Sequence, residues 1–486
     1  MEMSNLQPSS STDKGAAQRV DTRYTDDPER TRSSDLSRAD TSGTEGETAP
    51  INGAAEYRVY KVRWFGLIQL VLLNVIVSWD WLTFSPVANT AADFYGTNPS
   101  IINWLSTAFL FAFVAASPWT IFALHRGGPR LAIITSSILI LIGNWIRYGG
   151  TRTRVPSFGL TMFGQILIGL AQPFVLSAPT YYSELWFSPR GRVSATAIAS
   201  LANPFGGALG QLIDPFLANK PSEIPSMTLY VAIISTVATI PSFFVPAKPR
   251  TPVSPSSTQR APDIRSALRL LSTNPTFWLI AIPFWIYVGF FNSISSLLTQ
   301  IMTPYKFSET DSGIAGALLI LVGLVAAAIT SPIIDRTKAY VPLIRTLVPI
   351  IALSYLAFIW APGTRSVAAP FVILSVLGAA CFSLVPVALE FLVEVNYPVG
   401  PEATSTICWT GGQLFGGIFI LISDALKAGK EADPAFNMGK ALIFQATCAL
   451  AVVPCVLLLG RLGAISSKRL HVDKGTGPPS TTIDTG

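Results

Sequence analysis

The chain has 486 residues, of which 50% are hydrophobic and only 13% are charged. A soluble protein carries nearer a quarter charged residues, so this composition excludes the soluble globular class. It predicts an all-α protein that crosses a membrane many times. The net charge of +6 does not indicate a nucleic-acid partner, because the basic residues flank apolar segments and there set orientation in the bilayer.

Residues 1–57 are polar and nearly free of large apolar side chains. Such a segment cannot bury enough surface to offset the entropy lost on ordering, so we predict a disordered tail. A second Pro/Ser-rich and basic stretch at 247–275 predicts a linker, in which 264–271 can form a short amphipathic surface helix. A short polar tail follows at 463–486.

The apolar segments between these stretches are each long enough to span a bilayer as a helix. They predict about twelve transmembrane helices, six in an N-terminal half at 58–246 and six in a C-terminal half at 276–462. The segments lie at about 64–92, 101–124, 131–149, 157–184, 193–217, 225–246, 276–303, 312–334, 340–360, 367–395, 403–425 and 438–462.

The distribution of Lys and Arg predicts the orientation, because positive residues concentrate on the cytosolic side. With a cytosolic N-terminus, the inside set is Arg58, Lys61, Arg63, Arg126, Arg130, Arg190, Arg192, Lys248, Arg250, Arg260, Arg265, Arg269, Arg336, Lys338, Arg461, Lys468 and Arg469. The outside set is smaller: Arg147, Arg152, Arg154, Lys220, Lys306, Arg365, Lys427, Lys430 and Lys440. Both termini and the linker are therefore predicted to be cytosolic, with the protein in the plasma membrane or the vacuolar membrane.

Asp80 lies deep in the first apolar segment. At ~1.5 Å per residue, a helix starting near Trp64 carries this carboxylate ~24 Å into the hydrocarbon layer. A charge at that depth is costly and marks a transport pathway by default. Asp80 is therefore predicted to supply charge or a coupling proton to a substrate site. The alternative is a hydrogen-bonded Asp that only ties helices together.

Other polar side chains fall at mid-membrane depth and include Gln172, Asn203, Asn292 and Gln413. Aromatic residues accompany them, among them Trp81 and Phe84. A carboxylate with aromatic faces suits an organic cation, because a ring quadrupole attracts ammonium by roughly 0.5–2 kcal/mol. Individually, each aromatic residue can equally face lipid or fill the core.

The two halves repeat at a constant offset of 210 residues. The offset pairs Arg126 with Arg336, Glu184 with Glu394, Asn203 with Gln413 and Asp214 with Asp424. A parallel repeat of six helices is the signature of the major facilitator fold, in which substrate binds between the halves near the midplane. The first two pairs are predicted to gate the cytosolic side by forming and breaking ion pairs. They can also be ordinary interfacial charges.

The chain shows no signs of enzymatic chemistry. It has no phosphate-binding GxxxxGK[ST] loop, and Cys381, Cys408, Cys448 and Cys455 all fall inside apolar runs, where they indicate core packing. No nucleophile–base pair or metal-ligand spacing occurs, so neither a metal nor a cofactor is expected.

Several stretches resemble the feline leukaemia virus subgroup C receptor-related (FLVCR) transporter family of the major facilitator superfamily. They span residues 60–460, and two pieces look most like its less characterised branch. The matching stretches are Trp81–Ala88, Ile102–Ser106, Asn203–Gly206, Asp335–Lys338 and Pro386–Glu394 with Tyr397-Pro398.

The resemblance implies a cage for choline or ethanolamine. Its first-helix aromatic matches Trp81, and its glutamines on the fourth and eleventh helices match Gln172 and Gln413. A Tyr on the family's seventh helix has no match, and Asn292 or, one register earlier, Phe284 takes its place. The acidic residue before the first-helix Trp is also a departure.

We therefore expect a monomeric secondary transporter or facilitator of a small organic amine or cation, working by alternating access in a lipid bilayer. One alternative is export of haem or of a hydrophobic metabolite or drug. A transporter-like receptor or sensor is another.

Overall fold

Long apolar helices build this protein. The computed structural model describes residues 58–251, 253, 264–337, 339–396 and 399–459. The predicted tails at 1–57 and 463–486 lie outside the described residues, as does part of the predicted linker. No strand occurs in the described ranges.

Fifteen helices are found in the described residues. In chain order they are α1 (Arg63–Leu82), α2 (Ala88–Tyr95), α3 (Pro99–Thr151), α4 (Phe158–Leu176), α5 (Ala178–Trp186), α6 (Pro189–Leu217), α7 (Ile224–Thr239), α8 (Ile264–Thr273), α9 (Pro275–Met302), α10 (Glu309–Thr337), α11 (Tyr340–Phe358), α12 (Ala368–Val395), α13 (Pro401–Ala425), α14 (Gly439–Ala451) and α15 (Val453–Leu457).

Twelve membrane spans can be traced through the described residues. Ten of these helices or helix pairs are long and apolar enough to cross a bilayer. One of the ten, α3, has 53 residues and bends at Gly128, so it supplies two spans. The 29-residue α6 completes the set. The predicted all-α fold of about twelve spans is confirmed.

The helices bend or end where glycine or proline interrupts the backbone hydrogen bonding. Gly128 has φ 67°, a left-handed value open to glycine, and Pro129 after it has no N–H to continue the hydrogen-bond ladder. The first apolar segment, predicted as one helix over 64–92, is divided instead. α1 ends at Leu82 and α2 begins at Ala88, with Pro86 between them. The break leaves the last carbonyls of α1 without helical donors.

The position of α1 depends on a close approach to α6. A Cβ at Gly206 would overlap the carbonyl oxygen of Val75, so the two backbones touch where Gly206 lies. Small residues of this kind allow membrane helices to pack by van der Waals contact. The contact holds the side chains of α1 that follow it, including Trp79 and Trp81, against α6 and the interior of the bundle.

The two ends of the bundle differ, and we call them the Arg63 end, where α1 begins, and the Glu309 end, where α10 begins. Hydrogen bonds join the first six spans to the last six at the Glu309 end. The Glu309 carboxylate accepts from the Asn89 N–H at 2.9 Å and from the Thr90 hydroxyl at 2.8 Å. The Asp424 carboxylate accepts from the Ser100 hydroxyl at 2.8 Å. These bonds close the Glu309 end.

The close α1–α6 contact can be tested with Gly206→Ala. We expect the substitution to lower stability by about 1–3 kcal/mol, because the added methyl must push two packed backbones apart. Thermal unfolding in detergent measures the change. Gly149→Ala is the matched control, since a Cβ there meets nothing within 4 Å and alanine is the better helix former. Equal melting temperatures for the two variants would contradict the packing account.

Candidate functional site

A cavity of about 140 Å³ lies between the two sets of six spans. One water molecule needs about 10–15 Å³ on the same measure, so the space suits a small organic molecule. The first six spans line it through α1, α4, α5 and α6, and the last six through α9 to α13. Thr180, Ile334 and Tyr340 are among the lining residues, so the cavity extends toward the Arg63 end.

Five of the seven predicted substrate residues line this one cavity. They come from five different helices, α1, α4, α6, α9 and α13, and are Trp81, Gln172, Asn203, Asn292 and Gln413. Sequence separation between them reaches several hundred residues, so the fold alone brings them together. Whether they bind substrate stays a prediction.

Two of the amides in the cavity are bonded to each other. Asn292 donates from Nδ2 to Oε1 of Gln413 at 2.8 Å, which fixes both side chains on the C-terminal wall. On the opposite wall, Asn203 donates to the Asn74 carbonyl at 3.4 Å. Phe284, the other candidate for the family's seventh-helix position, also lines the cavity. Both alternatives at that position therefore remain open.

Trp81 and Gln172 present unsatisfied polar atoms. Within the described residues, neither the Trp81 Nε1 donor nor the Gln172 Oε1 acceptor has a hydrogen-bond partner. The Trp81 ring is stacked on Phe109, with centroids 6.3 Å apart. Buried polar atoms are costly when unpaired. A hydroxyl group can accept from an indole N–H or donate to an amide oxygen, so a ligand hydroxyl that reached either buried atom would satisfy it.

Aromatic side chains and one carboxylate complete the wall. Phe284 and Trp409 pack edge to face with centroids 5.5 Å apart, and Phe291 lies beside them on the lining. Among the described lining residues, Glu390 of α12 is the only one with a formal charge. The cavity lining thus combines aromatic rings with one carboxyl side chain.

Asp80 does not lie in the cavity, which corrects the prediction that it supplies charge to substrate there. Its carboxylate is fully buried, and its Oδ1 lies 2.8 Å from Nη2 of Arg147 on α3. The other oxygen, Oδ2, accepts from Asn144 at 2.7 Å. The structure matches the alternative interpretation, in which Asp80 ties helices together.

Arg147 is likewise not an outward-facing boundary residue, because it is fully buried. Besides the Asp80 carboxylate, it donates to the Asp80 carbonyl at 2.9 Å and to Gln165 at 2.8 Å. Gln165 Nε2 also bonds the Asp80 carbonyl, at 3.1 Å. The Asp80 carbonyl is one of the four that the end of α1 leaves without helical partners. The positive guanidinium also interacts favourably with the negative, C-terminal end of the α1 helix dipole.

The network positions Trp81 without contacting the cavity. Gln165 Nε2 reaches the Trp81 carbonyl at 3.4 Å, so the backbone on both sides of the Trp81 ring is held by α3 and α4. Phe84 does not line the cavity either, and its ring lies 5.7 Å from the Arg147 guanidinium carbon. Arg147 could have been suspected from sequence, because it falls inside an apolar segment.

The four predicted gating residues lie toward the Arg63 end. Glu184 is 3.9 Å from Nη1 of Arg192 on α6, so its nearest described ion pair is within the first six spans. The Arg126 guanidinium lies over the Phe122 ring at 4.6 Å. Arg336 is exposed and Glu394 is buried. Gating by these residues remains a prediction.

The chain is similar in sequence to a known family of membrane proteins. The sequence profile of the Major Facilitator Superfamily matches residues 70–422. Solute carrier family 49 member A3 of Danio rerio is 30% identical over 447 residues, covering 88% of this chain and 93% of the relative. Choline/ethanolamine transporter FLVCR1 of Felis catus is 30% identical over 408 residues, covering 80% and 71%. The chain belongs to the FLVCR-related family of the major facilitator superfamily.

A solved structure supports the same fold. A bacterial homologue of the human lysosomal transporter Spinster, in an inward-facing and unoccupied conformation, aligns with a TM-score of 0.56 and 17% identity. The alignment covers 83% of this chain and 95% of that one. At this identity the likeness shows the fold alone. The family consists of membrane transporters, so this chain is a transporter and not an enzyme.

The buried ion pair gives a stability prediction. Asp80→Asn leaves the Arg147 guanidinium buried without an anion, and we expect a loss of about 3–5 kcal/mol. The double variant Asp80→Asn/Arg147→Gln should recover part of that loss, because no unpaired charge remains. Thermal unfolding in detergent measures both variants. Arg152→Gln, at an exposed arginine on the end of the same helix, is the control and should change little.

A double variant that is no more stable than Asp80→Asn would contradict this account of the pair. The comparison does not require the transport substrate, so it tests the fold of the site alone.

Proposed function

We propose that this transporter carries a small organic amine or cation, of the choline or ethanolamine kind, by alternating access through the cavity. The observation that carries the proposal is the convergence of Trp81, Gln172 and Gln413 on a single cavity with ring faces and one carboxylate. The relatives named choline/ethanolamine transporters support the substrate class. Haem does not appear in the names of the relatives reported above.

The two ends of the substrate are assigned to different parts of the cavity. An ammonium group is attracted to ring faces by roughly 0.5–2 kcal/mol each, and Trp81, Phe284 and Trp409 provide such faces. Glu390 adds a negative charge on the same lining. The hydroxyl or amine hydrogen-bonding group then meets the unpaired atoms of Trp81 and Gln172. A cation without a polar tail leaves those two atoms unsatisfied.

In this conformation, substrate reaches the cavity from the Arg63 end. The Glu309 end is closed by hydrogen bonds between the two sets of spans, and the cavity extends toward the Arg63 end. The excess of basic residues at the Arg63 end favours a cytosolic location for that end. The conformation is then one that exchanges substrate with the cytosol, in the plasma membrane or the vacuolar membrane.

Trp81→Ala tests the site. We expect uptake of radiolabelled choline or ethanolamine into proteoliposomes to fall by about 2- to 30-fold, because the ring contact of roughly 0.5–2 kcal/mol is lost. Gln172→Ala should raise the concentration for half-maximal uptake. Trp104→Ala is the matched control, since Trp104 is exposed on the outer surface of the bundle. Uptake by Trp81→Ala equal to that of wild type would remove this site assignment.

Glu390→Gln tests the charge. The substitution keeps the shape and removes the negative charge, so we expect weaker binding of choline and little change for a neutral isostere with a tert-butyl group in place of trimethylammonium. Competition of both compounds against labelled choline measures the difference. Equal weakening for the two compounds would show that Glu390 acts through shape and not through charge.

A further inference from the structure

A second carboxylate is buried in the N-terminal set of spans and has no part in the proposed substrate site. Asp214 lies on α6 and is fully buried. Its Oδ1 accepts a hydrogen bond from the Trp79 indole N–H at 2.9 Å. Its Oδ2 has no hydrogen-bond partner among the described residues. Two carboxylate oxygens therefore share one neutral donor.

Within the described part of the chain, no cation forms an ion pair with Asp214. Arg147 is the basic group that attracts the Asp214 carboxylate electrostatically. Its Nη2 already forms an ion pair with the Asp80 carboxylate at 2.8 Å. Asp80 itself places a second negative charge nearby.

In the described residues of the other elements packed against α6, the charged groups that can be named near Asp214 are acidic. The first turn of α10 carries Glu309, bonded to α2, and Asp311, bonded to Ser308. Deeper in α10, Gly313 and Gly316 face α6. The segment before α7 carries Glu223, which accepts from its own turn. α5 packs against the beginning of α6, far from Asp214, where the hydroxyl groups of Ser183 and Thr196 are hydrogen-bonded.

We propose that Asp214 is a proton-binding site, which holds a proton while the Glu309 end is closed and releases it when that end opens. An ionised carboxylate without a cation and with one hydrogen bond is strongly disfavoured in a membrane interior. The neutral acid is less costly, because Oδ1 still accepts from Trp79 and the unpaired Oδ2 then carries an O–H group and no charge. The proton comes from water and returns to water, so no other reactant is needed.

Opening of the Glu309 end would hydrate Asp214 because of its place on α6. Gln211, one turn earlier, donates to the Ser295 carbonyl of α9 at 2.6 Å. Pro215, the next residue along the chain, meets Gly313 of α10. Both contacts join the two sets of spans and must break when they separate at this end. Water then reaches the carboxyl group and stabilises its ionised form.

The sign of the pH effect follows from linkage. The closed conformation binds the proton more tightly than the open one, so lowering the pH favours closure of the Glu309 end and raising it favours opening. The proposal concerns the apo transporter and does not depend on the proposed substrate.

The repeat supplies a matched control. Asp424 occupies the position equivalent to Asp214 at the 210-residue offset. Its carboxylate accepts from the Ser100 hydroxyl at 2.8 Å and from Asn103 at 3.2 Å, and Lys427 is close by. A carboxylate with two donors and a nearby ammonium is satisfied in its ionised form. Asp424 therefore differs from Asp214 in its partners and serves as the control position.

Infrared spectroscopy of the purified apo protein tests the protonation directly. The carbonyl stretch of a protonated carboxylic acid should be present in wild type at neutral pH, lost in Asp214→Asn and unchanged in Asp424→Asn. If Asp214→Asn does not fold, Trp79→Phe provides the second variant, because removal of the indole donor should shift the same band. A band that survives in Asp214→Asn, or that stays unshifted in Trp79→Phe, overturns the proposal.

Hydrogen–deuterium exchange tests the link to opening. After correction for the intrinsic pH dependence of exchange, amides of α2 and of the first turns of α10 should exchange faster as pH rises in wild type. In Asp214→Asn, which resembles the neutral acid, exchange should stay slow and independent of pH. The same pH dependence in both proteins overturns the proposal. Neither measurement uses choline, so a failed transport assay leaves this test intact.

Discussion

The buried ion pair of Asp80 and Arg147 is the interaction that fixes the end of α1, and with it Trp81 in the wall of the cavity. It joins the end of α1 to α3, and Gln165 extends it to α4. Two buried charges cost several kcal/mol to desolvate, and further hydrogen bonds are needed to offset that cost. Asn144 and Gln165 supply such bonds to both partners, and among the described residues only the Nε of Arg147 lacks one. The outcome is a rigid end for α1. Trp81 follows directly, and its ring enters the cavity from a backbone held on two sides.

The same pair explains why two carboxylates of the N-terminal spans behave differently. Arg147 is one cation near two acids, and it is bonded to Asp80. Asp214 is left with the Trp79 indole, a neutral donor. Trp79, Asp80 and Trp81 are adjacent on α1 and point in different directions, about 100° apart. One turn of α1 therefore contributes to three features: the proposed proton site, the ion pair and the cavity wall.

Two carboxylates of the C-terminal spans, Asp424 and Glu309, take part in closure of the Glu309 end. Asp424 bonds to Ser100, and Glu309 bonds to the first turn of α2, so carboxylates from one set of spans accept hydrogen bonds from the other. Burial lowers the pKa of the nearby Lys427 ammonium, and the Asp424 carboxylate opposes that shift. The repeat thus has an acidic residue at one shared position, Asp214 in the first half and Asp424 in the second, and the two residues have different partners.

Composition and periodicity were enough to predict a helical membrane protein of twelve spans, because each span must be apolar over a length fixed by the bilayer. The repeat register and the resemblance were enough to place Trp81, Gln172, Asn203, Asn292 and Gln413 together, since equivalent helices line the path in this fold. The partners of individual side chains depended on the tertiary structure. Asp80 and Arg147 are 67 residues apart, and no local pattern shows that the break after Leu82 exposes carbonyls which Arg147 then satisfies. Hydropathy reports the depth of a residue in the bilayer but not the direction in which it faces, and that direction separates Asp80 in the ion pair from Trp81 in the cavity.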